Sequence, residues 1–242
     1  MTMAPRAPVV HLVSVDSTQR VAFALAAQGT PDGTVVIADV QDAGRGRRGR
    51  TWMAEPGESL LASIVCRPRL SPAAWPLLSL ATAVAVAETL AELGVSPRVK
   101  WPNDVLARER KIAGILLESR IESEPVVAVG IGINVHQRAF PPDLGDRATS
   151  VWRETGRAPA VPVVLESLVV CFGAWRARLE GEGFTPVRER WRALSATLGA
   201  HVSVDGTNGV ARDLDDDGAL LVEDAGGLKR IVAGEVEHAA RR

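Results

Sequence analysis

The stretch Gly44-Arg45-Gly46-Arg47-Arg48-Gly49-Arg50 packs three glycines and four arginines into seven residues. Glycine permits positive φ and brings a backbone close to a ligand. Arginine offers a rigid, permanently charged fork that matches phosphate and carboxylate. Placed behind the apolar, β-branched run Thr34–Val40, which reads as a buried strand, such a loop suits an oxyanion cradle. It equally suits a solvated basic loop or a nucleic-acid patch, and these seven residues leave the choice open. The loop is not a phosphate-binding Walker sequence, because no Gly-Lys-Ser/Thr closes it. Its G-x-G-x-x-G spacing is not a dinucleotide fingerprint either, since arginines fill the gaps and no helix pattern follows. Mutual repulsion among its arginines predicts a loop that orders only when an anion supplies the countercharge.

Three other stretches carry residue types suited to a site. Asp16-Ser17-Thr18 precedes a helical run from Gln19 to Gln28; one of the three should be its N-cap, and a helix N-terminus also favours anions. Val99-Lys100-Trp101-Pro102-Asn103-Asp104-Val105 sets a lysine and an aspartate around a rigid Trp-Pro step, which also reads simply as a tight turn. Lys111 opens the apolar arm Ile112–Leu117, interrupted by Gly114. A lysine there can be a solvated strand end, whereas glycine inside a strand often marks the close approach of a ligand or backbone. Gly130 and Gly132 alternate in the strand-like run Val126–Val135. They therefore share one face and leave room for a flat ligand or a packed helix. Trp52 can be core or a stacking surface.

The elements that must position these residues follow from periodicity and punctuation. Strands are expected at Val9–Val13, through Val40, and at Leu60–Cys66. Pro72 should start a long helix running to Leu93, with Gly94 beyond its end. Arg108-Glu109-Arg110 resembles a hairpin loop. Gln137–Ala160 reads as loop, and Val161–Leu179 and Thr185–Leu194 as helices. Beyond Ser195 the texture changes to short strands at His201–Val204, Val210–Leu214, Ala219–Val222 and Leu228–Val232. Asp205-Gly206, Asn208-Gly209, Asp217-Gly218 and Gly226-Gly227 separate them as turns, which suggests a small β-barrel appendage.

The 242 residues suffice for one large domain with a small appendage, and 46% apolar with 24% charged residues is an ordinary globular balance. A net charge of −1 argues against a dedicated DNA-binding protein. Cys66 and Cys171 lie in apolar runs without C-x-x-C spacing and read as buried thiols of a reducing compartment. Met1–Pro8 has no apolar signal core. The apolar stretch Leu77–Val95 carries Glu88 and Glu92 and reads as a core helix, not a membrane span.

Five motifs, in this order, resemble the biotin–protein ligases in their short form without an N-terminal DNA-binding helix-turn-helix. They are Asp16-Ser17-Thr18; Gln41 with Gly44–Arg50; Lys100–Asp104; Lys111–Glu118; and Gly130-Ile131-Gly132-Ile133-Asn134. The resemblance implies an α/β (α+β) fold. A mixed-sheet catalytic domain related to class II aminoacyl-tRNA synthetases and lipoate ligases would span 1–195, and an SH3-like β-barrel 196–242. It also implies a reaction. Biotin and Mg-ATP (biotin, ATP and Mg2+) would give biotinyl-5′-AMP, and a lysine of a biotin carboxyl carrier domain of a biotin-dependent carboxylase would then take the biotin.

By the same resemblance Lys111, Arg47 and Asp104 would be catalytic, with Asp104 activating the acceptor lysine. Ser17, Thr18, Gln19, Gln41, Arg45, Gly46, Arg47, Lys111, Gly114, Gly130 and Gly132 would bind biotin. Arg45, Arg47, Arg48, Arg50, Trp52, Lys100, Asn103 and Asn134 would bind ATP or the adenylate. No metal ligands are indicated. A cytoplasmic monomer or weak homodimer is expected, engaging no specific DNA and no membrane. One departure concerns the C-terminus. In well-known bacterial members a basic residue soon follows the terminal Gly-Glu, whereas Glu235 is followed here by Val236-Glu237-His238-Ala239. A lipoate or octanoate ligase would share the fold but should lack the Gly-Arg-Gly-Arg loop.

Overall fold

The computed structural model describes residues 8–121, 124–145 and 147–238. The reading of the N-terminal segment therefore lies, apart from Pro8, outside the described residues. The chain opens with strand β1 (Val9–Val15), helix α1 (Thr18–Ala27) and strand β2 (Val35–Gln41). β1 and β2 pair in parallel, which requires the crossover that α1 supplies. Strand β3 (Ser59–Cys66), buried along its whole length, follows the arginine loop. Helix α2 (Leu77–Glu92) then leads to β4 (Pro97–Lys100), β5 (Asp104–Ala107), β6 (Arg110–Arg120) and β7 (Val126–Asn134). These strands form one mixed sheet in the order β1-β2-β3-β7-β6-β5-β4.

The sheet has two different faces, set by the period of two along each strand. Leu60, Ala62 and Ile64 of β3, with Val127, Val129, Ile131 and Ile133 of β7, join the large core under α2 and two later helices, α4 (Val161–Glu182) and α5 (Thr185–Leu194). A short helix α3 (Val151–Thr155) precedes these two. The alternate residues point the other way. Near α1 they form a small second core of Ala22, Phe23, Ala26, Val36, Val65 and Ala128. Further along the same face the register places Gly132 beside both Leu61 and Gly114, and Gly130 beside both Ser63 and Leu116. β6 and β7 therefore present a patch bare of side chains at Gly114, Gly130 and Gly132, bordered by Leu61, Ser63 and Leu116.

A second, antiparallel sheet follows: β8 (His201–Val204), β9 (Thr207–Leu214), β10 (Leu220–Asp224), β11 (Gly227–Ile231) and β12 (Val236–His238), in the order β11-β10-β9-β8-β12. It is tied to the first sheet through the Trp-Pro segment. The Trp101 backbone N–H donates to Thr197 Oγ1 at 3.0 Å, and its indole N–H donates to the Gly218 carbonyl at 3.0 Å.

Several expectations are corrected. The long helix does not begin at Pro72: Pro72–Ala74 forms a separate 3-10 turn and Pro76 is the N-cap of α2, because a second proline can donate no helical hydrogen bond and crowds the turn before it. Gln137–Ala160 is not all loop. α3 is capped by Ser150, whose Oγ accepts from Arg153 N–H, and ends in left-handed Gly156. Asn208-Gly209 is not a turn but part of β9, and the β10–β11 turn sits one residue earlier than expected, since Asp224 and Gly227 already pair. β4 and β12 are additional. The Arg108-Glu109 hairpin turn takes positive φ at both residues without glycine. Among the described residues no helix is long and apolar enough to cross a membrane.

Candidate active site

The glycine-floored face opens into a cavity of about 60 Å³ lined by Ser17, Thr18, Gln41, Trp52, Lys111 and Gly132, among others. One wall is the N-terminus of α1. Ser17 occupies the N-cap position, but its side chain makes no capping bond. Gln41 does that work from the end of β2. Its Oε1 accepts from the Thr18 backbone N–H at 2.8 Å and from the Thr18 hydroxyl at 3.0 Å. Thr18 also shares a 2.8 Å hydrogen bond with buried Ser63. Next to it, Gln19 Nε2 donates to the carbonyls of Leu116 at 2.8 Å and Ala128 at 3.2 Å. A Cβ at Gly130 would lie 2.9 Å from Gln19 Cδ, so the glycine is needed for that side chain to lie flat on the sheet.

Trp52 lies in the cavity, half-buried. A Cβ at Gly132 would lie 2.6 Å from its Cε2, and one at Gly114 would lie 3.0 Å from its Cζ3. The indole thus rests on the bare floor where Gly114 and Gly132 face each other. Among the described residues no hydrogen-bond partner meets its buried Nε1.

Lys111 stands at the cavity edge. Its Nζ pairs with Asp104 Oδ1 at 2.6 Å, with the two side chains 34% and 22% exposed, and lies 5.5 Å from the Trp52 ring centroid. Its backbone is fixed on the other side, where Lys111 N–H donates to Arg147 O and Lys111 O accepts from Thr149 N–H. Asn103 is held by donating from Nδ2 to Ile115 O at 2.7 Å.

The arginine loop closes over this edge as a small hairpin. Trp52 N–H donates to Gly44 O, Gly46 N–H donates to Arg50 O, and Arg45 bridges Thr51. A Cβ at Gly44 would lie 2.4 Å from the Trp52 carbonyl, so the close crossing requires glycine there. The expectation that only a ligand could supply countercharge is corrected. Arg45 pairs with Glu118 at 2.7 Å, Arg48 with Asp205 at 2.6 Å, and Arg50 with Glu235. Arg48 and Arg50 therefore face the second sheet and not the cavity. Arg47 alone of the four makes no ion pair among the described residues. Its fork donates to Asn103 Oδ1 at 3.2 Å and to the Gly234 carbonyl at 3.3 Å. Burial, and then the charge of neighbouring Arg48, push the Arg47 guanidinium below its ordinary pKa, although an arginine stays charged. It is the loop cation left for an incoming anion.

The structure thus brings together Ser17, Thr18, Gln19, Gln41, Arg45, Gly46, Arg47, Trp52, Asn103, Lys111, Gly114, Gly130 and Gly132, with Asp104 on Lys111. It does not bring Asn134 or Lys100 to the cavity. Asn134 is buried and donates to Thr149 O at 3.0 Å, and Lys100 ends β4 opposite Asp104. Sequence reasoning missed Ser63 and the loop's carboxylate partners Glu118, Asp205 and Glu235. Ser63 had a signal, as a lone hydroxyl in the apolar strand Leu60–Cys66. Among the described residues no group of three His, Cys, Asp or Glu could hold a metal ion.

Comparison with known proteins agrees with this geometry. The Biotin/lipoate A/B protein ligase family matches residues 12–136, and the Biotin protein ligase C terminal domain matches residues 197–239. The bifunctional ligase/repressor of Bacillus spizizenii is 36% identical over 239 residues, covering 94% of this chain and 74% of that protein. The biotin–[acetyl-CoA-carboxylase] ligase of Paracoccus denitrificans is 38% identical, covering 93% and 98%. The structure of the Aquifex aeolicus biotin protein ligase in complex with biotin and ATP superposes with a TM-score of 0.84 at 30% identity, covering 96% of this chain and 98% of that one.

Proposed function

This chain belongs to the biotin/lipoate A/B protein ligase family, and from that premise we propose that it is a biotin–protein ligase, activating biotin with ATP and passing it to a lysine of a carboxyl carrier domain. The observation that carries the reading is the placement of the Lys111 ammonium and the unpaired Arg47 fork at one edge of a glycine-floored cavity. Two anions must meet there. A carboxylate oxygen attacks the α-phosphorus, the bond to the β-phosphate breaks, and pyrophosphate leaves. The approach needs cations already in place, and charge building on the phosphoryl oxygens needs fixed donors. Lys111 and Arg47 provide both. The enzyme needs no nucleophile of its own, because the mixed anhydride is itself the activated species.

Biotin's ring system fits the floor of Gly114, Gly130 and Gly132 against Ser17, Thr18 and Gln41. The cavity, about 60 Å³, is below the ~300 Å³ that small-ligand sites begin at. Trp52 therefore moves off Gly132 as biotin enters. Lys111 then exchanges Asp104 for the substrate anions, and this frees the Asp104 carboxylate. In the second step Asp104 accepts the proton of the acceptor amine as nitrogen attacks the acyl carbon and AMP leaves. Mg2+ would come bound to the triphosphate, a form that asks for only one or two protein carboxylates.

The catalytic unit would span 1–195 and the C-terminal unit, as an SH3-like barrel, 196–242. The buried free thiols of Cys66 and Cys171 suit a cytoplasmic enzyme. The test is biotin-dependent exchange of labelled pyrophosphate into ATP. Exchange with biotin supports the reading; exchange that only lipoate or octanoate promotes replaces it with the sister activity on the same fold.

A further inference from the structure

The arginine loop lines a cleft of about 1230 Å³ whose C-terminal wall is the β9–β10 turn, Asp217 to Ala219, with Val232 after β11. Polar bridges also join the loop to residues of the C-terminal unit. Two of these bridges start from one place. Asp205 and Gly206, at the β8–β9 turn, both take positive φ, 46° and 87°, as a two-residue hairpin turn requires. That backbone sends the Asp205 carboxylate to Arg48 at 2.6 Å. Gly234 packs on the same turn: a Cβ there would lie 2.4 Å from Val204 Cγ1 and 3.3 Å from Asp205 Oδ2. Its carbonyl accepts from Arg47. Arg48 itself takes a left-handed conformation, φ 54° and ψ 38°, which a bulky side chain adopts rarely. It points out to Asp205 while its neighbour Arg47 points in to Asn103.

We propose that Asp205 is a positioning residue for the arginine loop. By holding Arg48 outward it keeps Arg47 inward at the cavity edge, so the C-terminal sheet governs how long the reactive adenylate stays enclosed. The inference rests on the ligase reading for what the loop encloses, while the contact itself does not. The bridge is an ion pair between side chains 49% and 47% exposed, so its effect is modest and screened by salt.

The test uses the full chain, with Asp205→Asn as the main variant because asparagine tolerates the left-handed turn. Adenylate formed on the enzyme is chased, and its escape is read as labelling of bystander lysines. Asp205→Asn should raise escape about two- to fivefold at low salt, with pyrophosphate exchange unchanged and Tm lowered by no more than about 2–4 °C. The gap from wild type should close in ~1 M salt. Arg48→Gln should raise escape by a similar factor, and the double variant no further. Unchanged escape in Asp205→Asn, effects that add in the double variant, or a gap that persists at high salt would overturn the proposal. Tryptic cleavage within Gly44–Arg50 is a readout independent of chemistry. Asp205→Asn should be cut faster than wild type at low salt. A wild type without exchange activity but with this difference would sink the functional reading and keep the latch; equal cleavage would sink the latch.

Discussion

Replacing Lys111 by alanine should separate catalysis from folding. In the free protein its ammonium meets Asp104 at 2.6 Å, with the two side chains 34% and 22% exposed. A pair in partial contact with water contributes about 0–1 kcal/mol to stability. In a chain of this size that corresponds to a Tm shift of about 2–4 °C at most. The strand keeps its place without the side chain, because Lys111 N–H and O bond to Arg147 and Thr149 through the backbone. On the ligase reading proposed above, the same ammonium faces a carboxylate and an α-phosphate in the transition state, in a site closed by the loop. Loss of one fixed donor there costs about 2.7–4 kcal/mol, or roughly a hundred- to thousandfold in rate. The assay is single-turnover formation of biotinyl-AMP, paired with a thermal melt. Lys111→Arg should rescue poorly, since a wide planar fork does not fit where a compact ammonium sits beside Gly114. A folded Ala variant that adenylates within a few-fold of wild type would refute the assignment, and the site would have to be rebuilt around Arg47.

Arg47→Gly should still make adenylate but release it early, labelling bystander lysines; a variant that labels only the carrier would remove Arg47 from containment. Asp104→Asn should slow transfer from preformed adenylate and recover in part at high pH, where more of the acceptor amine, with an ordinary pKa of about 10.4, is the free base; unchanged transfer would leave Asp104 as a structural partner of Lys111. Gly132→Val should abolish biotin binding as seen by calorimetry, because an isopropyl group would fill the bare floor on which the ring system is proposed to lie once Trp52 has moved off it; normal affinity would show that the floor is not the biotin seat. The carboxylates of Asp205, Asp213, Asp224 and Glu235 lie below their ordinary pKa, each held there first by a hydrogen bond from a basic side chain. A depressed native pKa stabilises above the unfolded value and loses that contribution as pH falls towards the native one. The melting temperature should therefore hold from pH 7 to about 5 and fall as pH drops below about 4; a Tm unchanged at pH 2.5 would contradict these pairings.

Much of this protein was legible in one dimension because the signals are local. Glycine spacing in Val126–Val135 placed Gly130 and Gly132 on one face by strand periodicity alone, and the sheet register kept them there. α5 spans Thr185–Leu194 as expected, because a proline in the first turn and an amphipathic pattern are chain-local cues. Clustering of Ser17, Thr18, Gln41, Gly114 and Lys111 followed from the family's motif order, though nothing in their spacing along the chain predicts contact. What only the tertiary structure decided depends on the partner that residues distant in sequence find. Gln41, more than twenty positions on, caps α1 in place of Ser17. Trp52 lies on bare glycine backbone supplied by β6 and β7. Asn134, motif-bound and polar, is consumed by a backbone carbonyl of the segment before α3. Four arginines that look equivalent in the sequence separate: Arg48 and Arg50 pair outward, Arg45 lines the cavity already paired with Glu118, and Arg47 faces the cavity with no ion pair among the described residues. Charge is a property of the residue type, but whether it is already neutralised depends on which carboxylates folding brings within a few ångströms.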